Sequence, residues 1–256
     1  MPREEHRANA DALTDFGYER VPRGVKKERV REVFDSVAPR YDLMNDVMSL
    51  GLHRLWKRFA IAHSGLRAGQ RALDVAAGSG DLSIGLARRV GATGQVIVTD
   101  INARMLAAGR DRLLDAGIAG NVAYVQADAE ALPLASATFH CVAIGFGLRN
   151  VTDKEAALAS MYRCLKPGGR LLVLEFSKPT LRILEPLYEA YSFQVLPRLG
   201  QWLVDDAASY RYLAESIRRH PDQQTLKELM ERAGFERCEF FNLSAGIVAL
   251  HLGYRL

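Results

Sequence analysis

Gly78 and Gly80, in the stretch DVAAGSGD from Asp74 to Asp81, stand where an apolar run gives way to a helical pattern. Glycines at such a junction let the backbone turn tightly and leave room for a ligand to lie against it. Asp100 follows twenty residues after Gly80 and ends a second apolar run, Val96, Ile97 and Val98. A carboxylate there can accept from both hydroxyls of a ribose. Asp128 follows a third short run, Val122 to Gln126. Three successive strand ends therefore offer polar groups to one crevice, which is the chemistry of a nucleoside site. Ser83 stands three residues after Gly80, where a dinucleotide fingerprint requires Gly or Ala, and no lysine follows the glycines as in a P-loop. Both absences argue against a site built for phosphates.

The surrounding pattern sets what must hold these residues. Ala72, Leu73, Val75 and Ala76 read as a buried strand, and Leu82, Leu86 and Val90 recur at helical spacing. From Ala72 to Glu175 strands and helices alternate, which predicts five parallel strands joined by right-handed crossovers. Thr152 is the expected N-cap of the helix after the fourth strand, with Glu155 as its capping-box partner, and Lys166 to Gly169 end that helix before the buried run Leu171 to Leu174. Ahead of the sheet, the first twenty residues read as loose, followed by two helices, the second carrying Leu52, Leu55, Trp56, Phe59 and Ala60 on one face. Between Leu181 and Tyr212 an aromatic and aliphatic stretch interrupts the alternation and reads as a helical lid, equally compatible with core packing and with a substrate wall. Arg237 to Phe241 and Ile247 to Tyr254, separated by Asn242, Ser244 and Gly246, suit an antiparallel hairpin at a sheet edge.

The expectation is thus one α/β domain over 1–256 with a Rossmann-like, mostly parallel seven-stranded sheet, helices on both faces and an antiparallel C-terminal hairpin. Its parts are a helical cap (1–65), a ligand-binding core (70–178), a lid insertion (181–215) and a C-terminal helix with hairpin (216–256). A hydrophobic content of 48% against 25% charged supplies an ample core. Cys141, Cys164 and Cys238 are odd in number and far apart, with no CxxC pair or histidine cluster, so neither a disulfide framework nor a metal site is expected and a cytoplasmic setting is. The N-terminus lacks the apolar core of a signal peptide, and no stretch has the length of a spanning helix. Formal net charge is +4 with a pI near 9.0, and Arg20, Arg23, Lys26, Lys27, Arg29 and Arg31 crowd together. This cluster suits an anionic lipid surface or a solvated helix face, since Val30, Val33, Phe34 and Val37 would bury the opposite side. Aromatic residues do not interleave with it as base stacking requires, so no nucleic-acid partner is expected.

The glycine loop with its acidic second strand resembles that of the class I methyltransferases, whose donor is S-adenosylmethionine. Two longer stretches narrow the resemblance. YDLMNDVMSLGLHRLW, with Tyr41, Asp42, Met44, Asn45, Ser49, His53 and Trp56, and RCLKPGGRLLVLEFS, from Arg163 to Ser177, are similar to the two signatures of the ubiquinone and menaquinone biosynthesis C-methyltransferases (UbiE type). FGLRNVTDK and the ending GIVALHLGYRL are similar as well, so the likeness runs from about Phe34 to Leu256. It departs at Cys164, where Val is usual, at the loop, which reads AGSG in place of GGTG, at Asp128, where Asn is also found, and at Gly145, where Ser is common.

The resemblance implies donor contacts from Asp74, Gly78, Ser79, Gly80, Asp100, Ile101, Asp128, Ala129 and Gly145, with no metal. It implies an acceptor that is a polyprenylated benzoquinol or naphthoquinol methylated on a ring carbon. A sulfonium methyl is an electrophile, so the acceptor must be the electron-rich reduced quinol, activated by loss of a hydroxyl proton. Arg149 is the expected partner of the resulting oxygen anion, because a guanidinium stays charged at any working pH, and a structural salt bridge is its plainer role. Candidates for the base are His53, Tyr41 and a water held by Asn150 or Asp128, and His53 equally suits an exposed helix position. Left open are contact with the inner face of the membrane or with a quinone-biosynthesis complex, a homo-oligomer, an O- or N-methyltransferase of another aromatic molecule, and a catalytically silent donor-binding protein.

Overall fold

The computed structural model describes residues 12–37, 45–46, 49–180 and 207–256. Tyr41, Met44 and the part of the expected lid at 181–206 lie outside the described residues. Nine strands are seen among them, β1 (Leu13–Phe16), β2 (Glu19–Pro22), β3 (Arg71–Val75), β4 (Gln95–Asp100), β5 (Val122–Gln126), β6 (Phe139–Gly145), β7 (Leu165–Phe176), β8 (Glu236–Leu243) and β9 (Val248–Arg255). The α-helices are α1 (Arg23–Val37), α2 (His53–His63), α3 (Asp81–Val90), α4 (Ala103–Asp115), α5 (Lys154–Cys164), α6 (Ala207–Arg219) and α7 (Gln223–Arg232).

Seven strands form one sheet in the order β5-β4-β3-β6-β7-β9-β8. The five from β5 to β7 are parallel, and β9 pairs antiparallel with both β7 and β8. The C-terminal hairpin therefore extends the sheet with its second strand inward. Alternation along β3 divides the core between two faces, Ala72 packing with Leu86, Val96 and Cys141 on one side and Leu73 with Val142, Leu158 and Met161 on the other. Asp74 shares the side of Ala72 and is fully buried there. The parallel strands deliver their carboxyl ends to one edge of the sheet, and the order reverses between β3 and β6, which is where a ligand crevice belongs in an open α/β sheet.

Two local expectations are corrected. Residues 13–20, within the stretch expected to be loose, belong with Val21 and Pro22 to the β1–β2 hairpin, which turns at Gly17 with φ +57°. The hairpin holds because Phe16 stacks on Tyr212 of α6 at 4.3 Å and Glu19 pairs with Arg29 of α1 at 2.6 Å, contacts between segments distant in sequence or a turn away. The N-cap of α5 is Asp153 and not Thr152: the Asp153 Oδ1 accepts from the Ala156 amide at 3.0 Å. The Thr152 and Asp153 amides themselves donate to Glu130 Oε1 at 3.1 and 3.0 Å, an acceptor supplied from outside the helix.

The basic stretch at the start of the chain is largely consumed inside the protein. Arg23 pairs with Asp153 at 2.9 Å, and Lys27 pairs with Asp128 and Glu130 at 2.7 and 2.9 Å. Lys26 is buried with its ammonium on the Val151 carbonyl at 3.3 Å, and burial, then the nearby Lys154 charge, pulls its pKa down to about 8. The cluster ties α1 to the sheet edge, so the charge left for an external anionic surface is smaller than the sequence suggests.

Candidate functional site

A cavity lies at the carboxyl ends of the parallel strands. Ala76 and Gly78 after β3 form one wall, Asp100, Ile101 and Asn102 after β4 the next, and Ala127 to Glu130 after β5 the far end. Phe146, Gly147 and Asn150 after β6 close it on the other side, and α1 covers it with Lys27, Val30, Arg31 and Phe34.

The loop after β3 is shaped by positive φ angles. Ala76 has φ +50°, Gly78 +57° and Gly80 +80°, and across the cavity Phe146 has φ +58°. For Ala76 and Phe146 the left-handed conformation costs on the order of 1 kcal/mol each. Gly147 permits this, because a Cβ there would stand 2.7 Å from the Ala76 Cβ. Two side-chain caps then fix the cavity's polar rim. Asp100 accepts from the Gly78 amide at 2.9 Å through Oδ2 and from the Asn102 amide at 2.8 Å through Oδ1. Asn102 caps α4 by accepting from the Arg104 and Met105 amides, and its Nδ2 donates to Asp35 of α1 at 2.9 Å. Burial raises the Asp100 pKa, and the amide donors of Asn102, Gly78 and Ile101 oppose the rise. With these three amides bound, the Asp100 carboxylate keeps capacity to accept from a further donor.

Of the residues expected to contact a nucleoside donor, Gly78, Asp100, Ile101, Asp128 and Ala129 line this cavity together. Asp74, Ser79, Gly80 and Gly145 do not. Asp74 lies beneath the loop with Oδ2 accepting from Ser83 Oγ at 2.5 Å, and burial pushes its pKa up to about 7. Ser79 Oγ accepts from Arg112 Nη1 at 3.0 Å. Gly80 packs on Leu113, and Gly145 sits against Leu82, whose Cδ1 would be 2.6 Å from a Cβ at that glycine.

The catalytic candidates separate. Asn150 lines the cavity and its Oδ1 accepts from Tyr212 OH at 3.1 Å. Arg149 is buried in the adjoining turn and pairs with Glu175 at 3.0 Å, donates to the Phe146 carbonyl, and lies 5.5 Å from the Phe176 ring centre. Its Nε has no partner among the described residues. The salt bridge that was the plainer role for Arg149 is therefore present. His53 is buried and not exposed: it is 2.9 Å from Asp46 through Nε2 and 3.9 Å from Asp81 through Nδ1. Burial lowers its pKa, Lys57 adds to that, and Asp46 and Asp81 oppose it. It does not line the cavity. Lys57 and Arg112 each pair with Asp81 at 2.5 Å, so His53 belongs to a charged cluster bracing the start of α3. Trp56, Phe146 and Phe176 form an aromatic wall there, with ring centres 4.9 to 6.4 Å apart.

Several site residues were not found by sequence reasoning. Lys27 and Phe34 were assigned to a solvated or packing helix, and their role as a cover depends on how α1 lies across the sheet. Glu175 carried a usable signal, an acid ending an otherwise continuous apolar strand with an arginine on a neighbouring strand end.

A sheet of this order, with a glycine loop after its central strand and an acid at the end of the next, is the architecture of class I S-adenosylmethionine-dependent methyltransferases. Solved structures agree on the fold, among them an S-adenosylmethionine-dependent methyltransferase from Aquifex aeolicus (TM-score 0.61, 16% identity, 84% of this chain and 98% of that one). A putative methyltransferase of the same kind from Methanococcus maripaludis superposes with a TM-score of 0.61 at 16% identity, covering 85% of this chain and 91% of that one. The chain belongs to the ubiE/COQ5 methyltransferase family, whose pattern matches residues 23–255. The ubiquinone/menaquinone biosynthesis C-methyltransferase UbiE of Stutzerimonas stutzeri is 60% identical over 254 residues, 99% of this chain and 98% of its own. The protein of the same name from Cellvibrio japonicus is 61% identical over 242 residues, 94% and 97% of the two chains.

Proposed function

We propose that this S-adenosylmethionine-dependent C-methyltransferase methylates a ring carbon of a polyprenylated quinol in ubiquinone or menaquinone biosynthesis. The observation that carries this is the identity of about 60%, over nearly the whole length of both chains, with proteins named for that reaction. The cavity suits the donor: Val30, Phe34, Ile101 and Met105 give apolar surfaces for a base, Asp100 offers its remaining accepting capacity to a ribose hydroxyl, and Asp128 offers an acceptor to an amino group. The donor supplies an electrophilic methyl, and the chain must supply orientation and charge. Gly78 brings the loop backbone to the cavity, while Ser79, Gly80 and Asp74 hold that loop from behind.

For the acceptor, we assign the oxygen anion to Arg149, whose Nε proton has no partner among the described residues, with Glu175 and the Phe146 carbonyl fixing the guanidinium. Phe146, Phe176 and Trp56 offer an aromatic surface beside it. No helix among the described residues is long and apolar enough to cross a membrane. Contact at a membrane surface is supported by the poor solubility of an isoprenoid tail and by the exposed Leu50, Leu52 and Leu55 flanking the cap.

The test is to supply both quinol classes, in liposomes and in detergent, with labelled donor, and to locate the label by fragmentation. Label on a ring carbon of either quinol is expected. Label on oxygen, or none with either class, would overturn the assignment.

A further inference from the structure

The adenine end of the cavity contains a cation that the donor reading does not use. Lys27 of α1 reaches across the cavity mouth, and its ammonium is 2.7 Å from Asp128 Oδ2 and 2.9 Å from Glu130 Oε2. All three residues line the cavity. Glu130 is itself fixed by the amides of Thr152 and Asp153 at the start of α5. The lysine head is thus held at a defined point although its stem crosses the mouth.

An ionised carboxylate only accepts hydrogen bonds, whereas the adenine edge presents an amino donor flanked by two ring acceptors, N1 and N7. Asp128 alone leaves those acceptors to whatever donors stand beside it, and an acceptor buried without a partner weakens binding. Two donors do stand there. One is the amide of Ala129, next along the chain. The other is Lys27, an ammonium with three N–H groups, of which Asp128 and Glu130 take two.

We propose that Lys27 and Asp128 read the adenine edge as one composite group, Asp128 accepting from the exocyclic amino group while Lys27 donates to a ring nitrogen beside it. The Ala129 amide serves the other ring nitrogen. Burial would lower the lysine pKa, but hydrogen bonds to the two carboxylates win and raise it, so the group stays a donor at any working pH. The pair also neutralises Asp128, so that the cavity does not present two bare carboxylates to the base.

This rests on the cavity being the donor site, and calorimetry with S-adenosylhomocysteine and its 1-deaza and 7-deaza analogues separates the two claims. The wild type is expected to bind each analogue about tenfold more weakly than the parent, the size of one hydrogen bond, the first because it lacks the acceptor of the Ala129 amide and the second because it lacks the acceptor of Lys27. Lys27→Met should bind the parent about tenfold more weakly and lose its preference over the 7-deaza analogue. Lys27→Met/Asp128→Asn should regain part of both, because an amide accepts and donates from one side chain. If Lys27→Met keeps the wild-type ratios among the three ligands, the composite reading is overturned while the donor site stands. If the wild type does not bind the parent, the donor site falls and Lys27 with it.

Discussion

Ser83 Oγ donates to Asp74 Oδ2 at 2.5 Å, joining the first turn of α3 to the end of β3 beneath the glycine loop. The hydroxyl stands where a dinucleotide fold would place a small residue for helix and strand to approach, and it satisfies one oxygen of a fully buried carboxylate. The other oxygen, Oδ1, has no partner among the described residues. A carboxyl in this position is stable when protonated and strained when ionised.

That imbalance predicts a pH dependence. Burial raises the Asp74 pKa from 3.8 to about 7; Ser83 and Lys57 oppose the rise and Asp100 adds to it. Between those pH values the folded protein holds a proton at Asp74 that the unfolded chain has lost. Stability contributed by this site therefore falls as pH rises from about 4 to about 7, by at most about 4 kcal/mol. Asp74→Asn, neutral throughout, should lose less between pH 5 and pH 8 than the wild type in chemical denaturation. Equal losses would show that Asp74 is ionised across the range.

What could be read from the sequence follows from how local each determinant is. The five-strand rhythm is set by neighbours in the chain and appears in the sheet as expected, and of the residues at its strand ends Gly78 and Asp100 line one cavity, whereas Gly80 and Gly145 do not. Asp128 was legible as a strand-end acid, but its partner Lys27 is 101 residues away, so the pairing that gives it meaning was not. Thr152 satisfied the local capping pattern, but the helix begins one residue later, at Lys154, so that the Asp153 carboxylate is the cap, while Glu130 from another strand end takes the amides of both residues. For His53 the sequence left a base and an exposed helix position open, yet its ring is buried between Asp46, seven residues back, and Asp81 of α3, the latter brought near only by the packing of α2 on α3.

Arg149 carries a structural and a catalytic expectation that mutation can separate. Arg149→Ala leaves Glu175 buried without its cation, which costs about 3–5 kcal/mol. Arg149→Met/Glu175→Gln removes both charges at similar volume and should recover most of that stability. If Arg149 stabilises the acceptor's oxygen anion, the double variant will bind S-adenosylhomocysteine normally and still turn over a short-chain quinol at least about a hundredfold more slowly, the usual scale for losing such a donor. Recovery of turnover along with stability would leave Arg149 as a salt bridge only.

Gly109 tests how closely α4 supports the glycine loop. An alanine in a helix interior is favoured over glycine by about 1 kcal/mol. Here the added Cβ would stand 2.8 Å from the Gly78 carbonyl oxygen, a backbone atom in a loop that cannot move aside without disturbing the 2.9 Å bond from the Gly78 amide to Asp100. Overpacking of this kind costs about 1–3 kcal/mol, so the clash outweighs the propensity gain. Gly109→Ala should lower stability and, by displacing Asp100, weaken S-adenosylhomocysteine binding about tenfold, the two read by denaturation and calorimetry. Gly24 of α1 is the control, since a Cβ there meets nothing within 4 Å. Gly24→Ala should be neutral or slightly stabilising with unchanged affinity. A Gly109→Ala protein more stable than the wild type, with wild-type affinity, would mean that the loop does not depend on this contact.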